Sequence, residues 1–100
     1  MQKKKLRISK KTFITPDTLD LECTLIEPES LDFLPGQFIS IGIPPAEGEE
    51  RGVQRAYSIA SSPTLEGGKK LVLCIKIVEG GKASDFFKDA PEGTELEYLG

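Results

Sequence analysis

Residues 19–25 read Leu19-Asp20-Leu21-Glu22-Cys23-Thr24-Leu25, and every second side chain is apolar. Alternation with period two is the pattern of a β-strand that buries one face and wets the other. The same pattern sets Leu6 and Ile8 among polar neighbours, so a first strand is predicted from about Lys4 to Thr12. Pro16-Asp17 supplies turn chemistry between the two.

The remaining chain repeats this rhythm of short strands and turn residues. Leu34-Pro35-Gly36-Gln37 fits a type II turn, in which proline presets a negative φ and glycine takes the positive one. It launches a third strand, Phe38 to Ile43, halted by Pro44-Pro45, and residues 46–52 form an acidic surface loop. A fourth strand is predicted over Gln54 to Ile59. Glu66-Gly67-Gly68-Lys69 turns into a fifth, Lys70 to Val78, the most apolar of the set. One helix is expected from Ser84 to Ala90, capped by Ser84 and stopped before Pro91. Glu92-Gly93 then turns into a last strand, Thr94 to Leu99. Five strands, one short helix and a further strand describe an all-β antiparallel barrel plugged by a single helix.

A chain of 100 residues is one domain in size, and folding buries roughly 60–65% of the surface of such a chain. Net charge is −3, so no overall basic field favours nucleic acid. Lys3, Lys4, Lys5, Arg7, Lys10 and Lys11 form a local basic exception. They read either as a solvated first strand protected against edge pairing or as a docking surface for an acidic electron-transfer partner. No apolar run is long enough to span a membrane. The basic N-terminus lacks the apolar core of a signal peptide, so a cytoplasmic chain is predicted. Cys23 and Cys74 are far apart and outside any Cys-x-x-Cys spacing, which suits free thiols in a reducing compartment. The chain has no histidine. That removes imidazole-based nucleophilic catalysis and imidazole-ligated zinc together, so any redox chemistry must come from a cofactor.

Residues 55–63 read Arg-Ala-Tyr-Ser-Ile-Ala-Ser-Ser-Pro and concentrate the candidate binding groups. An arginine in an apolar strand needs an anion, because an unpaired guanidinium is costly to desolvate. A phosphate would satisfy Arg55, and so would a salt bridge to Glu47, Glu49 or Glu50. Tyr57, two positions on, faces the same side of the strand. It reads as a plate for a flat ligand or as a core tyrosine. Ser58, Ser61 and Ser62 add hydroxyls, or form the turn before Pro63. Further along, Gly80-Gly81-Lys82-Ala83-Ser84 leads into the helix start. Glycines admit close approach of a ligand, and unpaired N–H groups at a helix N-terminus attract anions. Asp85 opposes that field and is expected to point to solvent.

Together these residues resemble the flavin-binding domain of the ferredoxin–NADP reductase family. Three motifs match in order: Pro35-Gly36-Gln37-Phe38, Arg55-Ala56-Tyr57-Ser58, and Gly80-Gly81 with Ser84. Leu73-Cys74-Ile75-Lys76 is similar to the strand beside the flavin in plant-type members. The resemblance spans the whole chain, 1–100, and implies a six-stranded antiparallel Greek-key barrel that binds FAD, with FMN possible. It implies that Arg55 pairs with the flavin phosphates and that Tyr57 packs on the ring or ribityl chain. Ser58 would hydrogen-bond the ring nitrogen that accepts hydride, as the catalytic group. The backbone from Gly81 through Lys82 and Ala83 to Ser84 would hold the pyrophosphate, with Cys74 and Lys76 nearby. Family members continue into an α/β domain that binds NAD or NADP, whereas no Rossmann-type fingerprint occurs in these 100 residues.

The implied function is therefore the flavin half of an NAD(P)H-dependent oxidoreductase. The nicotinamide would bind a separate domain or subunit, and an electron-acceptor protein or small molecule would take the electrons. The chain alone is expected to turn over little nicotinamide. A flavin-binding electron-transfer subunit, or a non-catalytic barrel acting with a partner, is the first alternative. An OB-like barrel reading nucleic acid through its lysines is the second. The acidic balance opposes it, and Tyr57 and Tyr98 are thin provision for stacking.

Overall fold

The computed structural model describes residues 4–30, 33–34, 36–45, 47–62 and 65–99. Six strands form one antiparallel sheet: β1 (Lys4–Thr15), β2 (Thr18–Glu27), β3 (Phe38–Ile43), β4 (Val53–Ser58), β5 (Lys70–Lys76) and β6 (Glu95–Leu99). Their spatial order is β4-β3-β6-β1-β2-β5. Chain neighbours β1–β2 and β3–β4 are hairpins, whereas β6 returns to lie between β3 and β1. That return is the Greek-key step. The sheet rolls until its terminal strands meet at a single bridge, Ile59 to Leu73, with Ala60 N–H donating to Val72 C=O at 2.7 Å. The predicted barrel is thus present; among the described residues this bridge, with Val72 N–H donating to Ser61 Oγ at 2.9 Å, draws the two ends of the sheet together.

Alternation does what the sequence predicts. Leu19, Leu21, Cys23 and Leu25 are buried, and so are Leu71, Leu73 and Ile75 across from them on β5. Ile39, Ile41 and Ile43 supply the opposite wall. One helix, α1 (Lys82–Asp89), closes the end of the barrel with Phe87 fully buried.

Several boundaries differ from the sequence reading. β1 runs to Thr15 because it stays paired with β2 to the tip of the hairpin at Pro16-Asp17. β5 stops at Lys76, and Glu66 to Lys69 is not a simple turn, since Leu65–Gly68 forms a 3₁₀ helix. The basic residues Lys4, Lys5 and Arg7 do not guard an edge, because β1 lies between β6 and β2 there. The turn before β3 is present: Gln37 N–H donates to Leu34 C=O at 3.0 Å and Gly36 has φ +82°. Pro35, like Lys3 and Pro63, lies outside the described residues.

A β-bulge interrupts β1 midway. Ile8 pairs with Cys23 but Lys10 pairs with Glu22, leaving Ser9 as an extra residue whose hydroxyl donates to Glu22 C=O at 3.0 Å. An extra residue shifts the phase of the strand. Leu6 and Ile8 are buried before it, and afterwards Lys11 turns toward α1.

Candidate functional site

The bridge at Ile59–Leu73 fixes how the two sheet edges face one another. Among the described residues no ladder between β4 and β5 extends this bridge toward Arg55. After β5 the chain turns through Val78-Glu79-Gly80-Gly81 into α1. Gly81 N–H donates to Val78 C=O at 2.9 Å, and Gly80 takes φ +79° at the third position of this type II turn. Any other residue is strained there. Gly81 is the N-cap, in extended conformation, and a Cβ on it would crowd Val78 O at 3.1 Å and Ser84 Oγ at 3.4 Å.

The helix therefore begins two residues earlier than expected, and Ser84 does not cap it. No side chain caps the N-terminus of α1. Ser84 is buried and its hydroxyl accepts from Val78 N–H at 2.8 Å, with Lys76 C=O 3.5 Å away. It stitches the turn to the helix. The first N–H groups of α1, at Lys82, Ala83 and Ser84, precede the first helical hydrogen bond, Asp85 N–H to Gly81 C=O. Such groups need partners from outside the helix.

Arg55 and Tyr57 do share a face: they pair with the buried Ile41 and Ile39 of β3. Arg55 is exposed, and its guanidinium donates to the carbonyl of Gln54 at 2.9 Å. Among the described residues no carboxylate pairs with it, so the salt bridge to the acidic loop is not made. Lys82 takes that place instead, with Nζ 2.6 Å from Glu49 and 3.3 Å from Arg51 C=O. These contacts bring the start of α1 beside the start of β4. Tyr57 is half-buried and meets Phe87 of α1 edge-to-face at 5.6 Å and 84°. Burial pushes its phenol pKa up, and the Arg55 guanidinium offsets part of that rise.

Ser58 lies on the opposite face of β4 from Arg55 and Tyr57. It is exposed and stands across from Phe38, which is 64% exposed. Cys74 and Lys76 point outward from β5, and Asp85 is exposed as expected. Phe38 belongs to the first of the three motifs, yet sequence reasoning assigns it no role of its own. It is exposed across from Ser58.

Among the described residues Arg55 has no carboxylate partner, α1 has no side-chain cap, and Phe38 and Ser58 stand exposed across from one another. The family model described as the oxidoreductase FAD-binding domain matches residues 5–100. The chain belongs to that FAD-binding domain family. The reductase component of propane 2-monooxygenase from Gordonia sp. (strain TY-5) is 33% identical over 88 residues, 87% of this chain and 23% of that protein. Ferredoxin–NADP reductase B from Sorangium cellulosum (strain So ce56) is 31% identical over 87 residues, 87% of this chain and 34% of that protein. This FAD-binding domain thus spans a quarter to a third of those relatives. Among solved structures, the cytochrome b5 reductase domain of Ulva prolifera nitrate reductase aligns with TM-score 0.81 and 26% identity. The match covers 99% of this chain and 40% of that one. No helix among the described residues is long and apolar enough to cross a membrane.

The residues fit the cofactor on structural grounds. FAD carries a pyrophosphate and a planar ring system. Arg55 without a carboxylate and the uncapped N–H groups of α1 suit the first. The exposed apolar and hydroxyl groups around Phe38 and Ser58 suit the second.

Proposed function

We propose that this FAD-binding domain is the flavin half of an NAD(P)H-dependent oxidoreductase, passing electrons from a nicotinamide to a protein or small acceptor. The observation that supports this reading is an exposed Arg55 without a carboxylate partner among the described residues, on the strand whose Tyr57 packs against Phe87 of the uncapped α1. Bound FAD supplies the two-electron chemistry that this histidine-free chain lacks. Arg55 holds the phosphates through charge-assisted bonds, each worth roughly 1.5–3 kcal/mol. The N–H groups of Lys82, Ala83 and Ser84 receive the pyrophosphate, and the helix dipole favours its charge. Tyr57 flanks the ribityl and ring portion. The Ser58 hydroxyl donates a hydrogen bond at the ring edge, beside Cys74. Lys76 adds positive charge on the same outer surface.

The nicotinamide site belongs to a separate NAD(P)-binding domain or subunit. Relatives named as a monooxygenase reductase component and a ferredoxin–NADP reductase support a protein as electron acceptor. Two free thiols suit the cytoplasm, the proposed location.

An absorbance titration tests the reading. The purified chain is mixed with FAD and the excess removed. Two retained flavin bands at about one FAD per chain are expected, and reduction by NAD(P)H should be slow until an NAD(P)-binding domain is added. A chain that stays colourless both alone and joined to such a domain refutes the proposal.

A further inference from the structure

A second concave surface runs along α1 from Lys82 to Ala90. It is a groove of about 600 Å³ between α1 and the loop that follows β3. Its floor is apolar: Ile43, Pro44, Pro45, Phe86 and Ala90. Its banks are acidic, with Glu47 and Glu49 on the loop and Asp85 and Asp89 on the helix. Lys82 is the one cation among these lining residues, and Glu49 already holds it at 2.6 Å. Four carboxylates against one ammonium leave the groove negative.

Folding does not explain this charge. Asp89 sits in the last turn of α1, where the helix dipole disfavours an anion by about 0.3–1 kcal/mol. Asp85 lies one turn before it, so the two like charges repel across an i, i+4 spacing. Within the domain Lys11 offsets part of this at the helix end, through the carbonyls of Lys88 and Ala90, and Lys82 offsets Glu49; the remaining acidic charge faces outward, where a cation from outside can meet it.

We propose that this groove docks a segment of a partner protein in which apolar side chains alternate with lysine or arginine. The apolar side chains of such a segment cover the floor while its cations reach both banks. A metal ion does not suit the site, because no group of three ligating side chains converges among the described residues. A small amine would satisfy one carboxylate and leave the floor wet. The carboxylates disfavour phosphates and nucleic acid, and the inference does not depend on the flavin reading, although Lys82 at the head of α1 borders both sites.

The test is a titration of the ¹⁵N-labelled chain with a nine-residue peptide of alternating lysine and leucine. A lysine–glycine peptide of equal charge serves as the control. Amide shifts are expected at Glu47, Glu49, Asp85, Phe86 and Asp89, with the lysine–glycine peptide at least tenfold weaker. Glu47→Lys together with Asp89→Lys should weaken the lysine–leucine peptide at least tenfold with a melting temperature that does not fall. Should the double variant misfold, Glu47→Lys alone, on the surface loop, is expected to give a several-fold loss. Shifts centred on another surface, equal affinity for the two peptides, or unchanged binding by a folded variant would overturn the proposal. So would a concentration-dependent dimer that the same charge reversal abolishes, since the occupant would then be a second copy of this chain.

Discussion

The hydroxyl of Ser84 accepts the backbone N–H of Val78 at 2.8 Å, fastening the turn that follows β5 to the first turn of α1. Both groups are partly enclosed, so deletion of the hydroxyl strands a donor. An unsatisfied buried donor costs about 1–3 kcal/mol. Ser84→Ala should therefore lower the melting temperature of the FAD-free chain by at least about 4 °C. It should also weaken FAD, because the turn sets the direction of the α1 N–H groups. An unchanged melt with weakened FAD would mean that the hydroxyl serves the ligand rather than the turn.

Arg55 makes the opposite case. Its one hydrogen bond, to the carbonyl of its own neighbour Gln54, is on the surface. Arg55→Ala should leave the FAD-free melt within about 1 °C, since exposed substitutions of this kind cost under about 0.5 kcal/mol. Loss of a charge-assisted phosphate contact of roughly 1.5–3 kcal/mol should weaken FAD about 10- to 150-fold by fluorescence titration. Equal FAD affinity would remove Arg55 from the site. The two variants thus separate a residue that shapes the cradle from one that fills it.

What was legible in the sequence depends on the range of each interaction. Period-two alternation in Leu19–Leu25 reports a local property, which face of a strand meets the core, and it located β2 directly; the apolar run from Lys70 located β5 but not its end at Lys76. The turn at Gly36 was legible because φ +82° favours one residue type. The role of Ser84 was not, since a serine near a helix start serves equally as cap or as stitch. Only the position of Val78 decides between them. Likewise the ion partner of Arg55 depended on whether Lys82, 27 positions along, reached Glu49 first. The phase shift at Ser9 hid the inward turn of Lys11 for the same reason.

Cys23 and Cys74 should differ sharply in reactivity. Cys23 is fully buried beside Glu22, and burial, with a smaller contribution from that carboxylate, pushes its thiol from 9.0 up to about 12. Cys74 is exposed. At pH 8 a thiol reagent should modify Cys74 promptly and Cys23 only as the chain unfolds. The raised value also fixes a sign. Above pH 9 the unfolded chain loses the Cys23 proton while the folded chain keeps it, so stability falls as pH rises from about 9 toward 12. Its slope from this group approaches about 1.4 kcal/mol per pH unit. Tyr57 and Tyr98, also raised by burial, add to the fall at the upper end. Denaturant melts between pH 8.5 and 10 on the parent and Cys23→Ala check it: the variant should show the shallower decline.

Lys11 links the β-bulge to the helix that carries the site. Its ammonium donates to Lys88 C=O at 2.9 Å and to Ala90 C=O at 2.7 Å, at the end of α1 where carbonyls lack helical partners. A cation there also opposes the partial negative charge of the helix terminus. The contact is partly exposed, so its worth is about 1 kcal/mol rather than that of a buried ion. Lys11→Met keeps the aliphatic stem and removes the charge. It should lower stability by about that amount, and the difference should shrink in high salt as screening weakens the parent. Deletion of Ser9 should do less. Ser9 is the extra residue, so without it Ile8 and Lys10 become neighbours opposite Cys23 and Glu22, and Lys11 still stands opposite Leu21 on the side of α1. A melt close to that of the parent is therefore expected. A loss as large as that of Lys11→Met or larger would mean that the bend of the bulge, and not the facing of the residues alone, brings Lys11 to the helix.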